Sequence, residues 1–127
     1  KNILTSQLQG PSMEPTIQEN DLVITDKFSS TFGRDPYRRG DIIVSRSPID
    51  PNNFICKRIA AMQGETIRGD IFRKSVPKGH VWILGDNSDN STDSRSFGSL
   101  PIGLIVGRVV CRVWPPDRIE WFRRDDV

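Results

Sequence analysis

The sequence predicts an all-β domain, a compact barrel or sandwich of antiparallel strands with little helix. Three observations predict it. Ten glycines and nine prolines punctuate 127 residues, a density that favours short strands and turns over long helices. No window of useful length repeats apolar residues at the period of an amphipathic helix. Short segments rich in Ile and Val recur between turn-forming residues, as in a sandwich or barrel.

The elements follow in order. The chain opens on a polar stretch that reaches a Gly10-Pro11-Ser12 turn. Residues 21–28 (DLVITDKF) have strand composition, and 29–39, with Gly33 and Pro36, read as a loop. The Arg39-Gly40 turn leads into a second strand at 41–47 (DIIVSRS), a loop at 48–53 and a third strand at 54–62 (FICKRIAAM). Residues 65–67 and 71–73 flank Arg68-Gly69-Asp70 as the arms of a hairpin. Residues 74–79 form another turn. Residues 80–84 (HVWIL) are a strand that runs into GDNSDNSTDSRSFG at 85–98, a stretch too polar to be core. Residues 104–114 (LIVGRVVCRVW) make the last long strand, stopped by Pro115-Pro116. No linker or repeat divides the chain, so residues 1–127 read as one domain with an unassigned tail at 119–127.

Composition excludes several classes. Eighteen basic and 16 acidic residues leave a net charge of +2, too balanced to indicate a nucleic-acid partner. No apolar run is long enough to span a bilayer, and no signal peptide or repeat is present. Cys56 and Cys111 are isolated; one disulfide between them is the alternative to the expected pair of free, partly buried thiols. With one histidine, His80, they make no zinc set. Neither a metal nor a cofactor is implied. A Ser-His-Asp triad would have to use His80.

Two residues stand out. On the strand at 54–62, alternation places Lys57 on the face of Ile55 and Ile59. If that face is buried, Lys57 is buried with it. Burial disfavours the ammonium, and a neutral amine at pH 7 costs several kcal/mol, tolerable where the amine acts as a general base. Arg58 cannot take that role, because guanidinium stays charged. The alternative for Lys57 is a packed stem with the ammonium snorkelling to the strand edge. Ser12 lies between Pro11 and Pro15, whose rings restrict the backbone around it. Such a turn suits a nucleophile that must be held near its base, and it also suits an ordinary surface serine. The 85–98 loop holds Asp86, Asp89, Asp93, Ser88, Ser91, Ser94 and Arg95. It reads as a carboxylate–hydroxyl–guanidinium wall, as a solvated Asx-rich turn, or as a calcium loop without the EF-hand ligand series.

Together the blocks GPSMEPT, RRGDIIV, ICKRIAAMQGE and GDNSDNSTDSRSFG resemble the type I signal peptidase family in order, spacing and content, from Gly10 to Trp114. Within it the sequence is similar to the mitochondrial inner-membrane branch, through SMEPTI at 12–17, SPIDPNNFICKR at 47–58, VPKGHVWILGDNSDNSTDSRSFG at 76–98 and GLIVGRVVCRVWPP at 103–116. The resemblance implies a signal-peptidase-type β fold and a Ser/Lys dyad. Ser12 is then the nucleophile and Lys57 the general base, with Ser91 orienting the amine. Asp93 and Arg95 form a supporting ion pair, and Asp86 is a wall residue. Many bacterial relatives carry Ser two positions before the nucleophile; this chain has Gly10, so the oxyanion hole would rest on backbone N–H groups, chiefly that of Ser12. Ala61 and Glu65 stand where Gly and Asp are more usual, with little effect expected. The short stretch between the Lys and GDN blocks leaves no room for an inserted second domain, and His80 becomes a structural strand residue.

The activity so implied is removal of N-terminal sorting presequences from proteins delivered to the mitochondrial intermembrane space. A bacterial or thylakoid signal peptidase with Ala-x-Ala preference is the same-class alternative. A self-cleaving repressor-type protein should carry its own scissile loop, and no Ala-Gly site precedes Ser12. A catalytically silent scaffold subunit would not need Ser12, Lys57 and Ser91. The implied partners are extended presequence peptides, a membrane surface and a second peptidase subunit, with no nucleic acid. The family's N-terminal transmembrane anchor is expected to be missing from this chain. The catalytic face would lie at the membrane, with Met13, Ile17, Trp114 and Trp121 as candidate apolar contacts and core burial as the competing reading.

Overall fold

A computed structural model describes residues 3–7, 10–27, 36–68 and 73–124. The strands are β1 (Ile3–Gln7), β2 (Leu22–Asp26), β3 (Ile42–Arg46), β4 (Phe54–Ala61), β5 (Thr66–Arg68), β6 (Arg73–Ser75), β7 (His80–Leu84), β8 (Leu100–Pro101), β9 (Ile105–Trp114) and β10 (Glu120–Trp121). One short helix, α1 (Ser94–Phe97), and three single 3-10 turns complete the described structure. The main sheet runs β1-β2-β9-β3-β4-β7-β8 with β10 paired onto β9, and β5 and β6 form a separate hairpin. Every pairing is antiparallel. The all-β antiparallel expectation holds, and among the described residues the sheet does not close into a barrel.

β3 explains where the core sits. Ile42 and Val44 pack with Met13, Ile17, Val23 and Val109. Ile43, pointing the other way, packs with Ile59, Val81, Ile83 and Leu100. A strand buried on both faces reads as a continuous apolar run, and each fully buried Ile contributes about 1.5–3 kcal/mol. Lys57 lies opposite Ile43 in the β3–β4 register, so it stands on an interior surface.

Several boundaries differ from the sequence reading. The polar opening contains β1. The hairpin arms fall at Thr66–Arg68 and Arg73–Ser75, so the expected turn at 74–79 begins later. Phe28, residues 29–35 of the expected loop and the tip at 69–72 lie outside the described residues. Asp93 and Ser94, in the stretch read as too polar for core, are fully buried. Met13 and Ile17 are core residues and are unavailable to a membrane, whereas Trp114 and Trp121 are exposed. No helix among the described residues is long and apolar enough to cross a membrane. Cys56 and Cys111 are both free.

The tail, unassigned from sequence, is tied into the domain as far as 124. Trp121 pairs with Cys111 and Glu120 with Arg112. Arg118 donates to Asp21 at 2.7 Å. Arg124 grips Asp41 through Nε and Nη2 at 2.8 and 2.7 Å. Asp21 and Asp41 are both buried, so these guanidinium groups neutralise carboxylates that would otherwise be costly inside.

Candidate active site

Ser12 sits on a compact turn after Gly10. The Glu14 N–H donates to the Pro11 carbonyl and the Ile17 N–H to that of Met13, each at 3.0 Å. The buried side chains of Met13 and Ile17 anchor the turn in the core while Ser12 itself stays half-buried. The GDN loop at 85–98 also reaches this turn. The Asn87 N–H donates to the Ser12 carbonyl at 2.8 Å, Asn87 Nδ2 donates to the Pro11 carbonyl at 3.1 Å, and the Asp86 N–H points to Met13 Sδ at 3.4 Å.

Lys57, only 5% exposed, directs its amine at this turn. Nζ donates to Ser12 Oγ at 2.8 Å. Burial holds its pKa below the ordinary lysine value, against the opposing pull of the Asp93 carboxylate. The neighbouring Cys56 thiol is pushed up to about 12, chiefly by burial, so it stays protonated and does not compete as a nucleophile. The interior reading of Lys57, and not the snorkelling one, matches the structure.

The GDN loop supplies two locked carboxylates. Asp86 accepts from Arg58 Nε and Nη2, both at 2.9 Å, and from the Thr16 hydroxyl at 2.5 Å. Burial raises its pKa, but the bonds from Arg58 and Thr16 and the charge of Arg58 more than offset this and keep it below the usual value. Asp93, wholly buried, accepts from the Gly85 N–H at 2.9 Å, the Ser91 hydroxyl at 2.8 Å and Arg95 Nε at 2.9 Å. Burial raises it too, and these donors outweigh that effect. Both carboxylates face guanidinium groups. Among the described residues no group of three or more His, Cys, Asp or Glu is placed to hold a metal.

Gly85 is required by space. A Cβ there would lie 2.2 Å from Ser91 Oγ and 2.6 Å from the Ser12 carbonyl oxygen. Gly10 is required by conformation: its φ is +83°, and a Cβ would meet nothing within 4 Å.

Of the residues singled out from sequence, Ser12 and Lys57 come together directly. Asp86 supports the Ser12 turn through Thr16. Asp93, Ser91 and Arg95 form one cluster, in which the Ser91 hydroxyl bonds Asp93 and not the Lys57 amine. Gly10 opens the Ser12 turn in the left-handed region, at φ +83°. His80 is a strand residue whose Nδ1 lies 2.9 Å from the Lys78 carbonyl. Sequence reasoning gave no role to Arg58, Thr16, Asn87, Gly85 or Arg112. Only Arg58, an arginine alternating with buried residues on β4, carried a readable signal.

An interior lysine on a serine hydroxyl, set in an antiparallel β domain, is the arrangement of a Ser/Lys hydrolase. The chain belongs to the family of signal peptidases, peptidase S26, whose model matches residues 3–71 and 68–114. It is 48% identical over 112 residues to mitochondrial inner membrane protease subunit 1 of Mus musculus, covering 84% of this chain and 66% of that protein. It thus spans just under two thirds of that relative's length. It is 35% identical over 127 residues to mitochondrial inner membrane protease subunit 2 of Saccharomyces cerevisiae, covering 89% of this chain and 69% of that protein. A crystal structure of a signal peptidase I from Enterococcus faecalis V583 superposes with a TM-score of 0.52 at 24% identity, covering 58% of this chain and 97% of the other. That likeness concerns the fold.

Proposed function

We propose that this chain is the catalytic domain of a Ser/Lys endopeptidase of the mitochondrial inner membrane. It removes N-terminal sorting presequences from proteins delivered to the intermembrane space. The observation that carries the reading is the 2.8 Å approach of a nearly inaccessible Lys57 amine to Ser12 Oγ. The neutral amine takes the Ser12 proton as Oγ attacks the scissile carbonyl. The Ser12 N–H is the candidate donor to the developing oxyanion. The Lys57 ammonium returns the proton to the leaving amine, leaving an ester on Ser12. Lys57, neutral again, activates the water that hydrolyses it. Asp86, Asp93, Ser91 and Arg95 hold the wall against which this happens. The names of the subunit 1 and subunit 2 relatives support the mitochondrial inner-membrane placement and a partner subunit.

The test uses the full-length protein assembled with its partner and a radiolabelled precursor. Ser12→Ala abolishes cleavage, and Lys57→Met lowers it by about 100- to 10,000-fold, with circular dichroism unchanged. Retained processing in either folded variant contradicts the reading. A precursor panel varied at the residue before the bond separates it from an Ala-x-Ala signal peptidase.

A further inference from the structure

Arg112 lies on β9, which is separated from the Lys57 strand by β3, and nothing in the dyad requires it. Yet it is a guanidinium only 4% exposed, with every branch engaged. Nη1 donates to the Thr16 carbonyl at 2.6 Å. Nε donates to the Arg118 carbonyl at 2.5 Å, and Nη2 donates to Glu120 Oε1 at 2.8 Å. Asp21 lies 3.6 Å from Nη1 and also accepts from the Gln18 N–H at 2.8 Å, at the far end of the segment that carries Ser12.

We infer that Arg112 is a positioning residue for Ser12, through which the C-terminal 116–121 segment sets the nucleophile against Lys57. This rests on the dyad reading above. The geometry forms a closed frame. On one side, hydrogen-bonded pairing from β9 through β3 to β4 sets where Lys57 stands. On the other, Arg112 reaches from the same β9 to Thr16, four residues beyond the nucleophile. Thr16 is pinned twice, its carbonyl by Arg112 and its hydroxyl by Asp86. The Ile17-to-Met13 bond then passes that constraint back to the residue next to Ser12. Charged donors make strong, directional bonds, and a rigid fork held by the Arg118 carbonyl and Glu120 cannot follow a drifting turn. Small displacements of a reacting atom are costly to rate.

The measurement is kcat and KM for a presequence peptide, with the full-length protein and its partner. In parallel, the rate at which a serine-directed phosphonate labels Ser12 is followed. Arg112→Gln is expected to lower kcat and the labelling rate together by tenfold or more, with KM within twofold. Arg112→Lys, which keeps the charge but is shorter and lacks the fork, should recover only a minor part of either rate. A folded Gln variant with wild-type kcat, or one changed only in KM, overturns the inference. Should the Gln variant fail to fold, Glu120→Ala decides. That residue is exposed, and removing its carboxylate frees one arm of the fork, so kcat should fall two- to threefold at an unchanged melting temperature; an unchanged kcat overturns the proposal. If wild type and Ser12→Ala process alike, the dyad reading itself has failed, which is a separate result.

Discussion

A lysine can serve as a base near neutral pH only if its surroundings lower its pKa, and the same surroundings must not offer a better proton partner. Lys57 meets the first condition by burial. For the second, the nearest carboxylate cluster, Asp93, is already saturated by Arg95, Ser91 and the Gly85 N–H. Gly85 is the most space-limited residue of the site. Gly85→Ala would press a methyl group on the Ser91 hydroxyl and the Ser12 carbonyl, both of which are already held in hydrogen bonds to Asp93 and the Asn87 N–H. Overpacking of this kind costs about 1–3 kcal/mol, and a shift near 1 Å can cost about 100-fold in rate. The expected outcome is a small drop in melting temperature with a disproportionate loss of processing by the folded fraction. A variant that lost stability alone would show that the close approach has no bearing on Ser12.

At the scale of elements, the long strands were legible because burial leaves a pattern. β3 is apolar on both faces, and β4 alternates around Lys57. β10 and the tail were not legible. Two residues of strand carry no periodicity, and their reason to pair lies in Arg112, Arg118 and Arg124 finding Glu120, Asp21 and Asp41 across the fold. The 85–98 loop misled for a related reason: its composition is that of a surface turn, and Asp93 is buried only because donors from three other residues converge on it. Ser12 and Lys57 could be named one at a time from local chemistry and the family resemblance. Their meeting depends on Met13 and Ile17 entering the core. The tail makes an element-scale prediction. Arg124→Ala leaves the Asp41 carboxylate buried without its guanidinium, which should cost about 3 kcal/mol and lower the urea midpoint. Asp41→Asn added to it should restore part of the loss.

For the molecule as a whole, charge balance and small size said little about activity. The described residues form one main antiparallel sheet, a separate hairpin, a loop that walls the site and a tail paired onto β9. Across that sheet the frame from β9 to Lys57 and from Arg112 to Ser12 brings two sequence-distant groups to one centre. The central claim is that Lys57 is the base that activates Ser12, and its sign with pH follows from burial. The amine is protonated, and silent as a base, below its folded pKa. That pKa lies below the 10.5 of an ordinary lysine, so activity rises as pH climbs through it. The most direct measurement is mass-spectrometric labelling of the full-length protein by a serine-directed phosphonate across pH. The account predicts a single adduct on Ser12, formed at a rate that rises with pH to a midpoint below 10.5, and no such rise in Lys57→Met. Labelling at another residue, or an equal rate and pH profile in Lys57→Met, would contradict it.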